Sequence, residues 1–340
     1  MRSRALSTLF GPLLALAACG GSDGGAGSAN ELVKVEVSVS AHLTGAVFYI
    51  GVEEGYFADE GIEAVIHPAT ESGATSIPSL DRGKLAVNSM NSLIAIANAI
   101  DQGARVRIVA GTSYAASGRC SPSALVARRG LFPEDRPITP ADLRGKRIDI
   151  NPLSSEGYFL DVFLARGGLS LDDIEPVSLP ITARLEALDR GAIDLTGTPE
   201  PWLSRMVEAG HRVVLTRTEV IPDFQSSYLV YGSRLLDEDR ETGRRFMSAF
   251  LRSVRQFNEG PTDRNVEIAE KFTGLSPEEL RRVCWPVMRP AGELRPPQIL
   301  AFQRWAVDHG LMQRIVDLEE LRDPWFTEET LGGAAGENAP

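Results

Sequence analysis

Small polar side chains recur where the predicted strands of this chain end, and their chemistry suits the holding of a small ligand. Hydroxyl and amide groups supply directed hydrogen bonds, and helix N termini beside them supply unpaired backbone amides. Each such residue alone is more typical of a cap or a turn. At the ends of successive strands, however, they predict a cleft, and the candidate contacts are His42, Thr44, Thr70, Ser72, Asn88, Asn91, Ser113, Ser154, Ser155 and Thr198.

A proline-rich segment ending at Trp202 adds a carboxylate and a ring to this set. Two prolines restrict the backbone around Glu200, and Trp202 offers a flat face to a ring or a methylene chain. The same segment is equally compatible with a proline-started helix that places Trp202 in the core. Tyr228 is a weaker candidate for the cleft wall, because an aromatic residue there is more typical of a core.

Signatures of enzymatic chemistry are missing from the sequence. Its four histidines, at positions 42, 67, 211 and 309, lie far apart, and no His-Glu-x-x-His or Cys-x-x-Cys motif occurs. The pattern Gly-x-Ser-x-Gly occurs at residues 20–24, inside a glycine-rich run that follows no predicted strand and opens no predicted helix, so it does not indicate a nucleophilic serine. The carboxylates form no recognisable acid–base pair. We therefore expect no catalytic residue, no metal and no cofactor, and a binding protein is favoured over an enzyme.

Strands that alternate with helices must position these loops. Val33 to Ser40 alternates apolar and polar residues as a half-buried strand does, and β/α alternation continues to Thr216. This order predicts α/β architecture with largely parallel sheets covered by helices on both faces. Ligands of such sheets bind beyond the carboxyl ends of the strands. From Asp239 to Ile315 the pattern is helical throughout.

A short repeat suggests two similar lobes that face each other. The sequence Leu80 to Gly83 returns as Leu188 to Gly191, and an apolar strand and a polar loop follow each copy. A glycine after the last helical turn can adopt the left-handed conformation that ends a helix. The repeat therefore predicts duplicated α/β units.

Composition and charge narrow the class of partner. The chain has 340 residues, of which 43% are hydrophobic and 24% charged, as in globular proteins of about two domains. A formal net charge of −11 repels nucleic acid and anionic lipid headgroups, so neither is an expected ligand.

The N terminus has the features of an export signal. Two arginines precede an apolar run that is too short to span a membrane, and Leu16-Ala17-Ala18-Cys19 follows. This resembles a bacterial lipoprotein signal, which implies cleavage before Cys19, acylation of its thiol and anchoring by lipid alone. The alternative is a plain secretory signal. The glycine-rich residues 20–30 suit a flexible tether.

Two further cysteines fit an exported protein. Cys120 and Cys284 remain if Cys19 is lipidated, an even number in a compartment where thiols can be oxidised. A disulfide between them and a pair of buried free thiols are equally compatible with the sequence.

Several motifs together resemble a known family. They are Glu54-Gly55-Tyr56-Phe57 before Gly61-Ile62, the Leu80 to Val87 and Leu188 to Leu195 units, Asp142-Leu143-Arg144-Gly145-Lys146, and Glu200-Pro201-Trp202. With the lipoprotein signal they resemble the periplasmic substrate-binding proteins of nitrate, sulfonate and taurine importers (SsuA/THI5-like, NMT1-like), a group that includes binders of pyrimidine precursors. The resemblance covers residues 33–260.

The resemblance implies a two-lobed periplasmic-binding-protein fold of type II, in which each lobe is a mostly parallel sheet flanked by helices. It implies an extracytoplasmic, lipid-anchored monomer that captures a small organic molecule and delivers it to the permease of an ABC importer. The expected organisation is a signal peptide (1–18), a tether (19–32), lobe 1 (33–117), lobe 2 (118–222), a return to lobe 1 with C-terminal helices (223–331) and a disordered tail (332–340).

Other functions of the same fold stay open at this point. Yeast-type pyrimidine-synthesis enzymes resemble it, although the cysteine-rich iron motif linked to them is missing here, and a receptor that presents ligand to a non-ABC partner would use the same cleft. Acidic residues near the expected cleft favour a neutral or cationic heteroaromatic ligand, whereas helix N termini would accept a sulfonate. The sequence does not decide between these ligands.

Overall fold

The computed structural model describes residues 31–40, 42–69 and 74–337. The predicted signal peptide and Cys19, most of the tether, Thr70 and Ser72 therefore lie outside the described residues. The described strands are β1 (Val33–Ser40), β2 (Ile62–Ala69), β3 (Val87–Met90), β4 (Val106–Gly111), β5 (Ser113–Tyr114), β6 (Ser123–Ala127), β7 (Arg147–Asp149), β8 (Glu175–Val177), β9 (Leu195–Pro199), β10 (Arg212–Thr216), β11 (Tyr228–Gly232) and β12 (Val287–Met288).

The described α-helices follow the strands of both halves and then dominate the C-terminal third. They are α1 (Ala46–Glu53), α2 (Tyr56–Asp59), α3 (Ile77–Asp81), α4 (Leu93–Asp101), α5 (Ser155–Ala165), α6 (Arg184–Asp189), α7 (Trp202–Glu208), α8 (Arg217–Val220), α9 (Arg240–Phe257), α10 (Asp263–Thr273), α11 (Pro277–Arg282), α12 (Pro296–Asp308), α13 (Leu318–Leu321) and α14 (Trp325–Glu337). Among these helices, none combines the length and the hydropathy needed to cross a bilayer.

Two five-stranded sheets carry the fold. Their strand orders are β2-β1-β3-β11-β4 and β8-β7-β9-β6-β10. In each sheet the fourth strand, β11 or β6, runs antiparallel to both neighbours, and the other strands run parallel to one another. The prediction of two lobes built on mostly parallel sheets is confirmed. We call the part around the first sheet the first lobe and the part around the second sheet the second lobe.

The two predicted helix stops are structurally equivalent. Gly83 and Gly191 both adopt left-handed φ angles, +69° and +66°. In each copy, the next two backbone amides donate to the carbonyl of a single helical residue, Ser79 or Ala187. β3 and β9 follow these stops and occupy the same third place in their sheets. The sequence repeat therefore corresponds to a repeated structural unit.

Hydrophobic clusters cover both faces of each sheet. Successive strand residues point to opposite faces, so Leu229 and Tyr231 of β11 join a cluster with α1 and α9, whereas Tyr228 and Val230 join a cluster with α4 and α12. β6 divides its residues between two clusters of the second lobe in the same way. Each lobe is thus a packed platform that fixes the strand ends.

Some element boundaries differ from the sequence-based expectation. The helical segment after β1 is divided into α1 and α2, because Gly55 adopts a φ of +74° between them. The segment before Trp202 is strand to Pro199 rather than loop, since β9 pairs with β6 and β7. The helix α14, which contains the fully buried Phe326, runs through residues 332–337 of the segment assigned to the tail.

C-terminal helices contact the second lobe at two places. From α11, Glu279 accepts a hydrogen bond from Arg205 (2.8 Å), and Arg282 pairs with Glu208 (3.0 Å between Nε and Oε1). Cys284, just after α11, forms a disulfide with Cys120, which precedes β6. These contacts connect α11 to α7 and to the chain that enters the second sheet.

The second contact is made by α12, which packs on α5. The ring of Tyr158 lies 4.9 Å from that of Phe302, centroid to centroid, and Nε1 of Trp305 donates to Asp161 over 2.9 Å. Together with α11, this helix connects the second lobe to the C-terminal third of the chain.

The Glu279 contact predicts a measurable pH dependence of stability. The hydrogen bond from Arg205, with those from Ser276, lowers the pKa of Glu279 to about 2, from 4.5 in an unperturbed glutamate. Because the pKa of Glu279 is lower in the folded state than in the unfolded state, its ionised carboxylate stabilises the fold above pH 4.5. This stabilisation is lost as the pH falls towards 2. Glu279→Gln should therefore lower the free energy of unfolding by about 1 kcal/mol at pH 7, and the difference from wild type should shrink between pH 4.5 and 2.

Chemical denaturation across this pH range checks the expectation. Glu278→Gln is the matched control, because the neighbouring carboxylate is exposed and makes only a 3.8 Å ion pair. Equal stability of E279Q and E278Q at pH 7 would contradict the assignment.

The disulfide predicts a second stability difference. Replacing both Cys120 and Cys284 by serine should lower the free energy of unfolding by about 3 kcal/mol, because the bridge restricts the unfolded chain. Reductant should bring the wild-type protein to the stability of the double variant and leave the variant unchanged. The bridge would be contradicted if reductant did not change the stability of the wild-type protein and if Cys120 and Cys284 were both alkylated in the absence of reductant.

Candidate functional site

A cleft of about 810 Å³ opens between the two lobes. It is lined by residues that follow β1 and β3 of the first sheet and β7, β8 and β10 of the second, and by the end of β9. This edge is where ligands of open α/β sheets bind. The volume is that of a site for a small organic molecule.

Most of the predicted contacts meet in this cleft. Both lobes contribute, so the polar strand ends of the two halves do form opposite walls. The lining includes His42, Thr44, Asn91, Ser113, Ser154, Ser155, Thr198 and Glu200.

Three predicted contacts lie outside the cleft. Asn88 is buried within β3, which extends to Met90, so the loop after this strand begins only beyond Met90. Trp202 starts α7, and its ring lies 5.1 Å from the guanidinium carbon of Arg205. Tyr228 is buried in the core at the start of β11, where burial raises the pKa of its phenol. These three residues are corrections to the sequence-based site.

Glu200 lines the cleft, but its carboxylate is occupied. It accepts hydrogen bonds from the amide (3.1 Å) and the hydroxyl (3.0 Å) of Ser204, in the first turn of α7. It also accepts the amide of Cys284 over 3.2 Å. Glu200 therefore caps a helix and joins α11 to the second lobe.

Asp149, at the end of β7, is a buried carboxylate that connects several loops and strands of the second lobe below the cleft; we call this part the floor of the lobe. Its carboxylate is 1% exposed and pairs with Nε of Arg184 over 2.8 Å. It also accepts the amide of Leu179 (2.8 Å) and the hydroxyl of Thr196 (2.7 Å). One buried charge thus fixes the loops after β7 and β8 against β9.

Glu156 and Arg217 form a second ion pair, at the N terminus of α5. The hydroxyls of Ser154 (3.0 Å) and Ser155 (3.4 Å) donate to the same carboxylate. Enclosure by the protein raises the pKa of Glu156, but the charge of Arg217 and the serine hydrogen bonds outweigh it, so the pKa lies below its ordinary value. The two predicted serine contacts therefore hold Glu156.

Arg184 and Arg217 are the site residues that the sequence analysis missed. Both begin helices that follow strands of the second sheet, which is the position that singled out the small polar candidates. The search for short polar side chains passed over them, although the same argument applies to a long side chain that folds back into the cleft.

Thr198 has the one buried hydroxyl in the described cleft that lacks a partner. Its side chain is 2% exposed, and its Oγ1 makes no hydrogen bond to the described residues. A buried hydroxyl without a partner costs free energy, which a ligand could recover. No group of His, Cys, Asp and Glu within the described ranges could hold a metal ion.

Comparison with known proteins places this geometry in a family. The model of the NMT1/THI5-like family matches residues 44–263, well over half of the chain. The chain belongs to the NMT1/THI5-like family. This membership confirms the resemblance stated from the sequence motifs.

Relatives of known or described role share the fold. A candidate binding protein of Brucella abortus is 24% identical over 241 residues, which are 66% of this chain and 72% of the relative. The periplasmic nitrate-binding protein NrtA of Synechocystis PCC 6803 superposes with a TM-score of 0.69 at 13% identity, over 91% of this chain and 90% of that protein. The aliphatic sulphonate-binding protein SsuA of Escherichia coli gives 0.66 at 17%, over 85% and 92%.

An enzyme also has this fold. The desulfurization enzyme DszB superposes with a TM-score of 0.64 at 16% identity, over 89% of this chain and 99% of the enzyme. Membership of the fold therefore does not by itself separate binding from catalysis.

Asp149→Asn tests whether the second lobe depends on its buried charge. The variant leaves Arg184 without its anionic partner, so the free energy of unfolding should fall by about 3 kcal/mol. Urea denaturation measures the change, and Asp172→Asn is the control, because Asp172 is exposed and its carboxylate accepts no hydrogen bond in the described chain. Variants of equal stability would show that Asp149 does not hold the floor.

Proposed function

We propose that this protein is an extracytoplasmic solute-binding lipoprotein that captures a small organic molecule between its lobes and delivers it to an ABC importer. Cys19 carries the lipid anchor in this proposal, and the protein acts as a monomer with the permease as its partner. The ligand classes suggested by the family are sulfonates, nitrate and pyrimidine or thiamine precursors. The proposal requires no cofactor.

The observation that carries the proposal is a cleft of ligand size that is lined by both lobes, in which the hydroxyl of Thr198 has no partner among the described residues. Strand ends from two sheets converge on one volume of ligand size, and polar groups there are held by buried contacts before any ligand arrives. Such a site suits reversible capture. The family membership and the named roles of the nitrate- and sulphonate-binding relatives support the same reading.

The contacts within the cleft favour capture over catalysis. Cys284 is the cysteine that lines the described cleft, and its sulfur is bonded to Cys120, so it is not available as a nucleophilic thiolate. The carboxylates of Glu156 and Glu200 are engaged by Arg217 and by Ser204. These two carboxylates position loops, so neither is free to act as a general base.

A thermal-shift panel of sulfonates, nitrate, pyrimidines, thiamine and riboflavin tests the function, because specific binding stabilises the folded state by mass action. At least one compound should raise the unfolding temperature. Thr198→Val should weaken the affinity for that compound about tenfold, since one hydrogen bond is lost. It should leave the unliganded protein as stable as wild type or more so.

Thr196→Val is the matched control from the same strand. Its hydroxyl donates to Asp149, so this variant should lower the unliganded stability by about 1 kcal/mol and affect ligand affinity less than T198V. Ligand binding that T198V does not weaken would remove Thr198 from the site. Turnover of a bound pyrimidine by the purified protein, or no stabilisation by any compound, would overturn the proposed function.

A further inference from the structure

The charges of the described cleft are distributed unevenly between its walls. The Asp, Glu and Arg side chains that line it, Glu156, Arg184, Glu200 and Arg217, all belong to the second lobe. The described wall of the first lobe presents hydroxyl, amide and apolar groups and the imidazole of His42. The charge of the ligand therefore depends on whether the two arginines of the second lobe are free to bind it.

Arg184 is committed to the protein. Its Nε pairs with Asp149 over 2.8 Å, and its Nη1 donates to the carbonyl of Gly197 over 2.9 Å. Its remaining contacts reach the carbonyl of Leu179 at 3.4 Å. An anionic ligand would have to compete with a buried carboxylate for this guanidinium, so Arg184 does not serve as an anion receptor.

Arg217 is committed in the same way. Its side chain is 13% exposed and pairs with Glu156, whose carboxylate is held by the hydroxyls of Ser154 and Ser155. The pKa of Glu156 lies below its ordinary value, so the carboxylate stays ionised at neutral pH. The pair therefore contributes no net charge to the cleft.

The same carboxylate also occupies the N terminus of α5. This 11-residue helix starts at the cleft, and its unpaired amides and dipole would otherwise attract a sulfonate or a carboxylate. Glu156 lies in the first helical turn, where a negative side chain satisfies that preference. A second anion would therefore gain little from this helix N terminus.

We infer that Glu156 excludes anions from the cleft, and that the ligand is a partly apolar organic molecule without negative charge. This inference rests on the proposed function. Leu125, Ile150, Phe159 and Phe302 supply apolar surface to the same cleft, and Thr198 supplies a hydroxyl for a polar group of the ligand. Glu156 is thus a specificity-determining residue that acts through Arg217 and α5.

Glu156→Gln tests the inference with matched pairs of probes. Each pair joins an anion to its uncharged analogue: benzenesulfonate with benzenesulfonamide, benzoate with benzamide, and butanesulfonate with butanesulfonamide. The glutamine oxygen can still accept the serine hydroxyls, so the loop is preserved, while Arg217 and the helix N terminus become available. Dissociation constants from calorimetry and thermal shifts give the preference within each pair.

Wild-type protein should bind the uncharged member of a pair about tenfold more tightly, and E156Q should gain about tenfold for the anion. Glu186→Gln is the matched control, because Glu186 pairs with Arg190 in the second lobe (2.6 Å) but does not line the cleft. It removes the same charge and should leave the preference unchanged.

The outcomes separate this inference from the proposed function. Wild-type protein that binds the anion of a pair as tightly as its uncharged partner, or E156Q that gains no affinity for anions, overturns the inference and leaves solute capture intact. An equal gain in E186Q also overturns it, because net charge alone would then be responsible. Failure of every probe and every panel compound to bind wild type or E156Q overturns both.

Discussion

The buried carboxylate of Asp149 is the constraint on which the second wall of the cleft depends. A charge that is 1% exposed is tolerable only if donors surround it, and here they come from the loop after β8, from β9 and from the first turn of α6. Satisfying one carboxylate therefore fixes three parts of the chain at once. Arg184 also donates from Nη1 to the carbonyl of Gly197, a residue that lines the cleft. The ion pair therefore helps to fix the cleft surface.

The first lobe has an uncharged pair of polar residues at the equivalent position. Strand pairing aligns Ser38 with Asn88 in the first sheet as it aligns Asp149 with Thr196 in the second, in strands that occupy equivalent places. All four residues are buried. The duplicated unit thus keeps a polar pair at the floor of each lobe, and the second copy has an ionised member that requires an arginine. The presence of Arg184 in the wall of the second lobe follows from this difference at equivalent positions.

Local sequence signals predicted much of the fold. β1 begins and ends at its predicted residues, and Gly83 and Gly191 end helices because a left-handed residue is needed there. The alternation of strands and helices gave both sheets, since it is a property of consecutive residues. Which strand is neighbour to which in the two sheets, and the return of β11 to the first sheet, depend on contacts between distant segments and were not readable from such patterns.

The site was predicted less completely, for the same reason. Cys120 and Cys284 are 164 residues apart, so the sequence could not decide between a bridge and two thiols. Asn88 was misplaced because β3 extends to Met90, so Asn88 is a buried strand residue rather than part of the loop. Arg184 and Arg217 were missed because their roles depend on where their long side chains find carboxylates, Asp149 and Glu156, that lie 35 and 61 positions earlier in the sequence.

The two ion pairs also affect the entropic and electrostatic contributions to the free energy of ligand binding. Each arginine of the described cleft is already held by a carboxylate, so a ligand need not order these long side chains when it binds, and the entropic cost of association is reduced. The same pairing removes the strongest electrostatic attraction that the wall could offer. Recognition must then come from hydroxyl and amide groups, such as the unpartnered hydroxyl of Thr198, and from the apolar lining. A wall organised by internal charge pairs is therefore ordered in advance, and its arginines offer no net positive charge to a ligand.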